Sequence, residues 1–474
     1  MDKLRSQRLP LFYLKSIVFC LALLLSGCSI SYSVDVESEQ KISDEYGNFY
    51  GDLGNGDQFG FALANIGDLE GDGVIDLAVG APYDDDNGDD RGAVWILFMD
   101  SNGEVDIYQK ISDEEGGFTG DLDDEDRFGS AIAPLGDLNS DGFLDIAVGA
   151  PLDDDNGTDR GAVWILFLNG DGTVQSQQKI SDDAGAFDGD LDDDDQFGHA
   201  LANIGDLNGD GITDLAVGVP NDDDGGTDRG AVWILFMNSD GTVLASQKIS
   251  SDEGGLDHDP NDEDYFGSAV TEIGDLDEDG VTDLAVGLTG NDDGGSDRGA
   301  VWILLMNEDG TVDSMERISQ ERGSFDGELT DNDQFGNALT NMGDINSDGT
   351  DDLAVGAKLS DDGGAQRGAV WILFLGGDAN VITSSKVSNT DGNFDGDLDN
   401  GDQFGGSLVQ IGDLDGDDVN DLAVGASLDD DGGTDKGAVW VLFMGEVDVD
   451  LDEQEGGLFN MSEEDWAYFL EGSD

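Results

Sequence analysis

The phrase GDLNGDGITDLAVG, Gly205 to Gly218, recurs with small changes every 69 residues, and that period limits the fold more than any other feature of the sequence. Its first aspartate stands at Asp68, Asp137, Asp206, Asp275, Asp344 and Asp413. A second phrase, RGAVWILF or a close variant, begins at Arg91, Arg160, Arg229, Arg298, Arg367 and Lys436. Phe-Gly pairs begin at Phe59, Phe128, Phe197, Phe266, Phe335 and Phe404. A period kept without insertion leaves no room for a foreign domain between units, so residues 34–445 read as one array of six repeats.

Within a unit the pattern is that of strands. ALANIGD is small and apolar, and DLAVGAP and GAVWILFM are apolar on both faces, as strands buried between two layers must be. TVLASQKIS alternates, as a half-exposed edge does. Four strands in a unit of this length make a propeller blade, so the expected fold is all-β: a β-propeller of six four-stranded blades from the six 69-residue repeats. A β-solenoid is the alternative, but its rungs are shorter and lack such long acidic connections. The array starts with a lone fourth strand, VDVESEQKIS, and its last unit stops after the third, GAVWVLFM. The N-terminal strand therefore closes the last blade and leaves no open edge. GEVDVDLDE, after Met444, competes for the same slot.

Trp95, Trp164, Trp233, Trp302, Trp371 and Trp440 share one phase of the third strand. They form either a carbohydrate-stacking row or packing between blades; apolar neighbours on both sides favour packing.

Between its first and second strands each unit carries a nine-residue loop with side-chain oxygens at positions 1, 3, 5 and 9. Alternate side chains of such a loop point inward, a glycine at position 6 gives the sharp turn, and the carbonyl at position 7 adds an oxygen. The candidate ligands are Asp68, Glu70, Asp72, Val74 and Asp76 in the first loop, and Asp137, Asn139, Asp141, Phe143 and Asp145 in the second. The third has Asp206, Asn208, Asp210, Ile212 and Asp214, and the fourth Asp275, Asp277, Asp279, Val281 and Asp283. The fifth has Asp344, Asn346, Asp348, Thr350 and Asp352, and the sixth Asp413, Asp415, Asp417, Val419 and Asp421. A single copy reads equally well as an Asp-Gly hairpin turn. Six copies point to Ca2+, about six ions with one per blade, because so many hard oxygens suit calcium better than magnesium or zinc. Two loops depart: Glu70 has a longer arm, and Asp418 stands where glycine belongs.

The net charge of −90 excludes nucleic acid as a partner, since phosphate binding needs a basic face. The two histidines, His199 and His258, lie at different phases, read as surface residues, and accompany no catalytic grouping. Carboxylate pairs that could serve glycoside chemistry occur in every blade, so none stands out. The expectation is a protein that is not an enzyme.

The N-terminus is a separate object. Lys3, Arg5, Arg8 and Lys15 precede a short apolar run, which reads as a secretory signal, residues 1–27. Its end, Leu25-Ser26-Gly27-Cys28, resembles a bacterial lipobox, which implies lipidation of Cys28, a tether over residues 28–33 and an exported lipoprotein of the outer membrane or cell surface. The other cysteine, Cys20, lies within the signal, so the exported chain has no disulfide. Residues 446–474 read as an acidic tail, in which Trp466, Tyr468, Phe469 and Leu470 offer a short docking segment.

The run FGHALANIGDLNGDGITDLAVGVP resembles the FG-GAP repeat of integrin α-chain propellers and of many bacterial surface proteins. The likeness implies calcium at Asp206, Asn208, Asp210, the Ile212 carbonyl and Asp214, and at the same phases of the other loops. Integrin propellers have seven blades against six units here, and Gly-Ala-Pro decays to Gly287-Leu288-Thr289, Gly356-Ala357-Lys358 and Gly425-Ala426-Ser427. The function expected is a calcium-binding, non-enzymatic adhesion or binding propeller. Its partner would be a protein or glycan at the cell surface, with the membrane reached only through the lipid. The alternative is a calcium-dependent carbohydrate-binding or glycan-acting propeller. Ligand recognition is expected on the rim opposite the calcium loops, whose Asp clusters either bind further cations or a basic partner or only solvate the surface.

Overall fold

The computed structural model describes residues 29–452, and the described chain is built of strands and turns without a helix. It separates into two units. Residues 34–447 are the propeller; the described part of the other unit is an antiparallel pair, Ser29–Ser33 against Asp448–Asp452, with Tyr32 opposite Val449. The readings for the signal, Cys28 and the tail beyond Asp452 lie outside the described residues.

The propeller consists of six four-stranded antiparallel meanders. In the third blade Ala200–Asn203, Leu215–Val219, Ala231–Met237 and Val243–Ile249 pair in sequence order. The burial of each strand follows its composition. AVWILFM is buried at every residue, because it has a neighbouring blade on both faces, whereas VLASQKI is exposed at Leu244 and Ala245 on the outer edge.

Closure uses the N-terminal strand. Val36–Ile42 pairs with Ala438–Met444, Val36 opposite Met444 and Ile42 opposite Val439, and completes the sixth blade. The competing GEVDVDLDE segment instead supplies Asp448–Asp452 to the separate pair. A second stitch joins each blade to the next. The Phe128 N–H donates to the Arg91 carbonyl at 2.9 Å, and the same bond from Phe59 to Lys436, also 2.9 Å, crosses the point of closure. This contact explains the glycine after each Arg: a Cβ on Gly92, whose φ is +87°, would lie 2.1 Å from the Phe128 carbonyl oxygen.

The six tryptophans pack between blades, with no more than 8% of any one exposed. Trp164 meets Phe118 edge-on at 5.1 Å in a cluster drawn from the first two blades. They are therefore core, and the carbohydrate-stacking row does not form.

The meander puts the first-to-second and third-to-fourth connections on one rim and the other connections on the opposite rim. The first strands of all six blades line a central cavity of about 540 Å³, with Asn65, Asn203, Thr271, Glu272, Asn341 and Gln410 among its polar walls.

Candidate functional site

The nine-residue loops all lie on one rim, each spanning the step from a first to a second strand. In the third loop the Asp206 carboxylate accepts the backbone N–H groups of Asp210 and Gly211, both at 2.8 Å. Asn208 Oδ1 accepts the Asp210 N–H at 2.9 Å, and Asp210 accepts that of Ile212 at 2.9 Å. These bonds curl the chain around its own side-chain oxygens. The pattern repeats: Asp137, Asp275 and Asp344 hold the fifth and sixth N–H groups of their loops as Asp206 does. Asp68 and Asp413 do the same and also accept the fourth, from Gly71 and Gly416. The position-7 residues Val74, Phe143, Ile212, Val281, Thr350 and Val419 each donate their N–H to the position-5 aspartate, Asp72, Asp141, Asp210, Asp279, Asp348 or Asp417.

The ninth residue is tied more deeply. Asp76, Asp145, Asp214, Asp283, Asp352 and Asp421 are almost wholly buried. Each accepts a backbone N–H from the far end of its blade's third strand: Met99, Leu168, Met237, Met306, Leu375 and Met444. In five loops its second oxygen accepts the N–H of the residue after position 1, as Asp214 does from Leu207 at 3.0 Å. In the fifth loop the Ile345 N–H goes to the Gly343 carbonyl instead, and Asp352 Oδ2 is left buried without a partner.

The carboxylates converge. Asp68, Glu70 and Asp76 offer oxygens within 4.8 Å of one another, as do Asp275, Asp277 and Asp279, and Asp413, Asp415 and Asp421. The second, third and fifth loops carry Asn139, Asn208 and Asn346 at the third position, replacing one charge by an amide oxygen. Burial raises the ninth carboxyls above the ordinary range, to about 6 at Asp145, Asp214, Asp283 and Asp421, and to about 8 at Asp352. Asp76 also reaches about 8, from burial and then from a hydrogen bond with Glu70. Buried carboxyls that resist ionisation, an orphaned carboxylate oxygen and an all-oxygen donor set fit a hard divalent cation, which would satisfy all three. The Glu70 arm reaches its neighbours, so the longer side chain does not spoil the first loop. Asp418 takes the glycine's left-handed conformation, with φ 73°.

The opposite rim holds a network that sequence reasoning did not assign. Arg91 contacts Asp113 through Nη1 at 2.9 Å and Asp124 through Nε at 3.0 Å, clasping the connection that leads into the next blade. Lys110 sits 2.7 Å from both Asp84 and Asp86, above the Trp95 ring. Lys41, Lys179 and Lys248 repeat this arrangement. The 69-residue spacing of those lysines was the available signal. Behind them Asp57, Asp126, Asp195 and Asp402 are buried, each with one backbone N–H donor. Burial, followed by the charges of Asp84, Asp153, Asp222 and Asp429, raises Asp57 to about 6 and the other three to about 7. Unfolded, the same groups ionise near pH ~4. Between those values the folded state holds protons the unfolded state has lost, so stability falls as pH rises from about 4 to about 7. Thermal melts in chelator should therefore give a Tm higher at pH 5 than at pH 8 by about 5 °C or more; an unchanged or lower Tm at pH 5 contradicts this account of the rim.

A family model described as FG-GAP repeat matches residues 128–166, 197–235, 335–373 and 404–442. The chain is similar to integrin alpha-2 of Mus musculus, 42% identical over 167 residues that make up 34% of this chain and 13% of the relative. It is also similar to integrin alpha-3 of Mus musculus, 32% identical over 249 residues, 52% of this chain and 20% of the relative. Integrin alpha pat-2 of Caenorhabditis elegans is 29% identical over 246 residues, 49% of this chain and 18% of the relative. The chain thus spans a fifth or less of the length of these curated relatives.

Proposed function

Taking the chain as what it is, an FG-GAP repeat protein folded as a six-bladed propeller, we propose that it is a calcium-stabilised, non-enzymatic binding protein of the cell surface. The single observation that carries this reading is the six-fold set of oxygen loops, each with a buried ninth aspartate that ties the loop to the third strand of its blade. The six Ca2+ ions would sit with the side chains of positions 1, 3, 5 and 9 and the carbonyl of position 7 as ligands. Their role is to hold the scaffold. Recognition then falls to the opposite rim, where the connections are long and the blades differ. Lipidation of Cys28 would tether the chain to the outer membrane. The likeness to integrin α chains favours adhesion to a surface protein over the glycan-acting alternative.

The test is a pull-down from intact cells with the calcium-loaded chain, alongside the variant carrying Asp206→Ala, Asp210→Ala and Asp214→Ala. Calcium-dependent capture that fails in the variant together with its folding supports the reading. Turnover of any member of a glycan or phosphoester panel by the purified chain contradicts it.

A further inference from the structure

The chain contains seven Asn-Gly pairs, and this pair carries a reaction of its own. The backbone nitrogen that follows an asparagine can attack the side-chain amide carbon and close a five-membered imide, and glycine alone offers no Cβ to hinder the approach. Three conditions decide whether a folded chain allows it. The glycine N–H must lack an acceptor, the asparagine amide must be free to leave, and water must reach both.

Five pairs fail the first condition. The N–H groups of Gly56 and Gly401 donate to the Thr434 and Ala365 carbonyls, both at 3.0 Å, and those of Gly88, Gly103 and Gly157 donate to the Asp85, Asp100 and Asp154 carbonyls at 3.0–3.3 Å. Their asparagines are held as well: Asn55 and Asn400 accept the Thr434 and Ala365 N–H groups, and Asn87, Asn102 and Asn156 donate to Asp113, Asp100 and Asp182. The sixth pair fails the second condition, because Asn169 Nδ2 donates to the Thr173 carbonyl and hydroxyl at 3.2 and 3.0 Å.

Asn208-Gly209, in the third oxygen loop, meets all three. Neither the Gly209 N–H nor Asn208 Nδ2 has a hydrogen-bond partner among the described residues. Gly209 is exposed, its φ is +74°, and a Cβ on it would meet nothing within 4 Å. The loop also activates the amide. The Asp210 N–H donates to Asn208 Oδ1 at 2.9 Å, so it stabilises the negative oxygen that forms when the amide carbon is attacked. The other two loops with asparagine at this position differ: Ser140 and Ser347 follow it, and their N–H groups donate to the Asp137 and Asp344 carbonyls, both at 3.4 Å.

We propose that Asn208 is a deamidation site, at which the third loop exchanges an amide for a carboxylate without an enzyme. The Gly209 nitrogen loses its proton to solvent base and bonds to Asn208 Cγ; the Cγ–Nδ2 bond breaks, and the amide nitrogen leaves as ammonia. One water then opens the imide. Opening at Cγ yields aspartate, the residue that the fourth and sixth loops carry at this position as Asp277 and Asp415. Opening at the main-chain carbonyl yields isoaspartate, whose extra main-chain methylene shifts the Asp210 and Gly211 N–H groups away from the Asp206 carboxylate. The chemistry requires no bound calcium.

The full chain is kept at pH 8 in chelator, below its Tm, and samples are digested and mapped by mass spectrometry with isoaspartate labelling. Asn208 should convert about tenfold faster than the asparagine of any other Asn-Gly pair, since a bonded N–H reacts only when its bond opens. In guanidinium chloride, where those bonds are lost, the seven should convert at similar rates. Gly209→Ser, which installs the serine that the second and fifth loops hold at φ 60°, should slow Asn208 about tenfold and leave the Tm unchanged. Asn208 intact in the folded chain over a time in which it reacts in guanidinium, equal rates at all seven in the folded chain, or undiminished conversion in Gly209→Ser overturns the proposal.

Discussion

Chelating divalent cations should lower the Tm of the purified chain by about 10 °C. At free calcium about ten times the dissociation constant, a site in the millimolar class of extracellular modules contributes about 1.4 kcal/mol, and six contribute about 8 kcal/mol. A propeller spanning residues 34–447 unfolds with an entropy of about 0.9 kcal/mol/K, which converts that sum into the shift. Two variants separate metal from scaffold. Asp210→Asn keeps an acceptor for the Ile212 N–H on an exposed loop, so it should cost about 1.4 kcal/mol in calcium and almost nothing in chelator. Asp214→Ala leaves the Leu207 and Met237 N–H groups without their acceptor, so it should cost about 1–3 kcal/mol per group in both conditions. If Asp210→Asn loses as much stability in chelator as in calcium, the loop acts through its hydrogen bonds alone.

Deleting Val34–Ser43 should be more damaging still. Val36 is 3% exposed and Ile42 fully buried, so their loss removes about 1.5–3 kcal/mol each. Lys41 pairs with Asp429 and Asp431, and without it Asp429 is a buried charge lacking its partner, at about 3–5 kcal/mol. The sum approaches the whole stability of an ordinary domain, roughly 5–15 kcal/mol. It also leaves Ala438–Met444 as an apolar open edge. The expected outcome is loss of the cooperative melt, with oligomers forming through that edge. Truncation after Gly445 should leave the melt unchanged, because the closing strand is Val36–Ile42. A cooperative, monomeric chain lacking residues 34–43 contradicts closure by that strand.

The propeller was legible because each repeat must bury a strand that is apolar on both faces, and only neighbouring blades can cover it. The closing strand was legible in part. VESEQKI carries at their proper phases the Val, Lys and Ile found in the fourth strands of the first three blades, whereas Asp448–Asp452 offers no lysine to meet Asp429 and Asp431. That difference gains meaning only once the lysine's partners, which lie on a different connection, are known. The oxygen loops could be read residue by residue, since their bonds are local. The second task of Asp214, which is to hold Met237 on the third strand, could not, because 23 residues and a strand pairing separate the two.

The most direct measurement of the central claim is the number of calcium ions bound per chain at equilibrium, by dialysis at about 10 mM free calcium, roughly ten times the dissociation constant of such sites, with metal analysis of both compartments. The loops predict close to six ions in the wild type, and one fewer in Asp210→Ala. A chain that stays folded while binding no calcium, or whose bound calcium is unchanged by Asp210→Ala, contradicts the account.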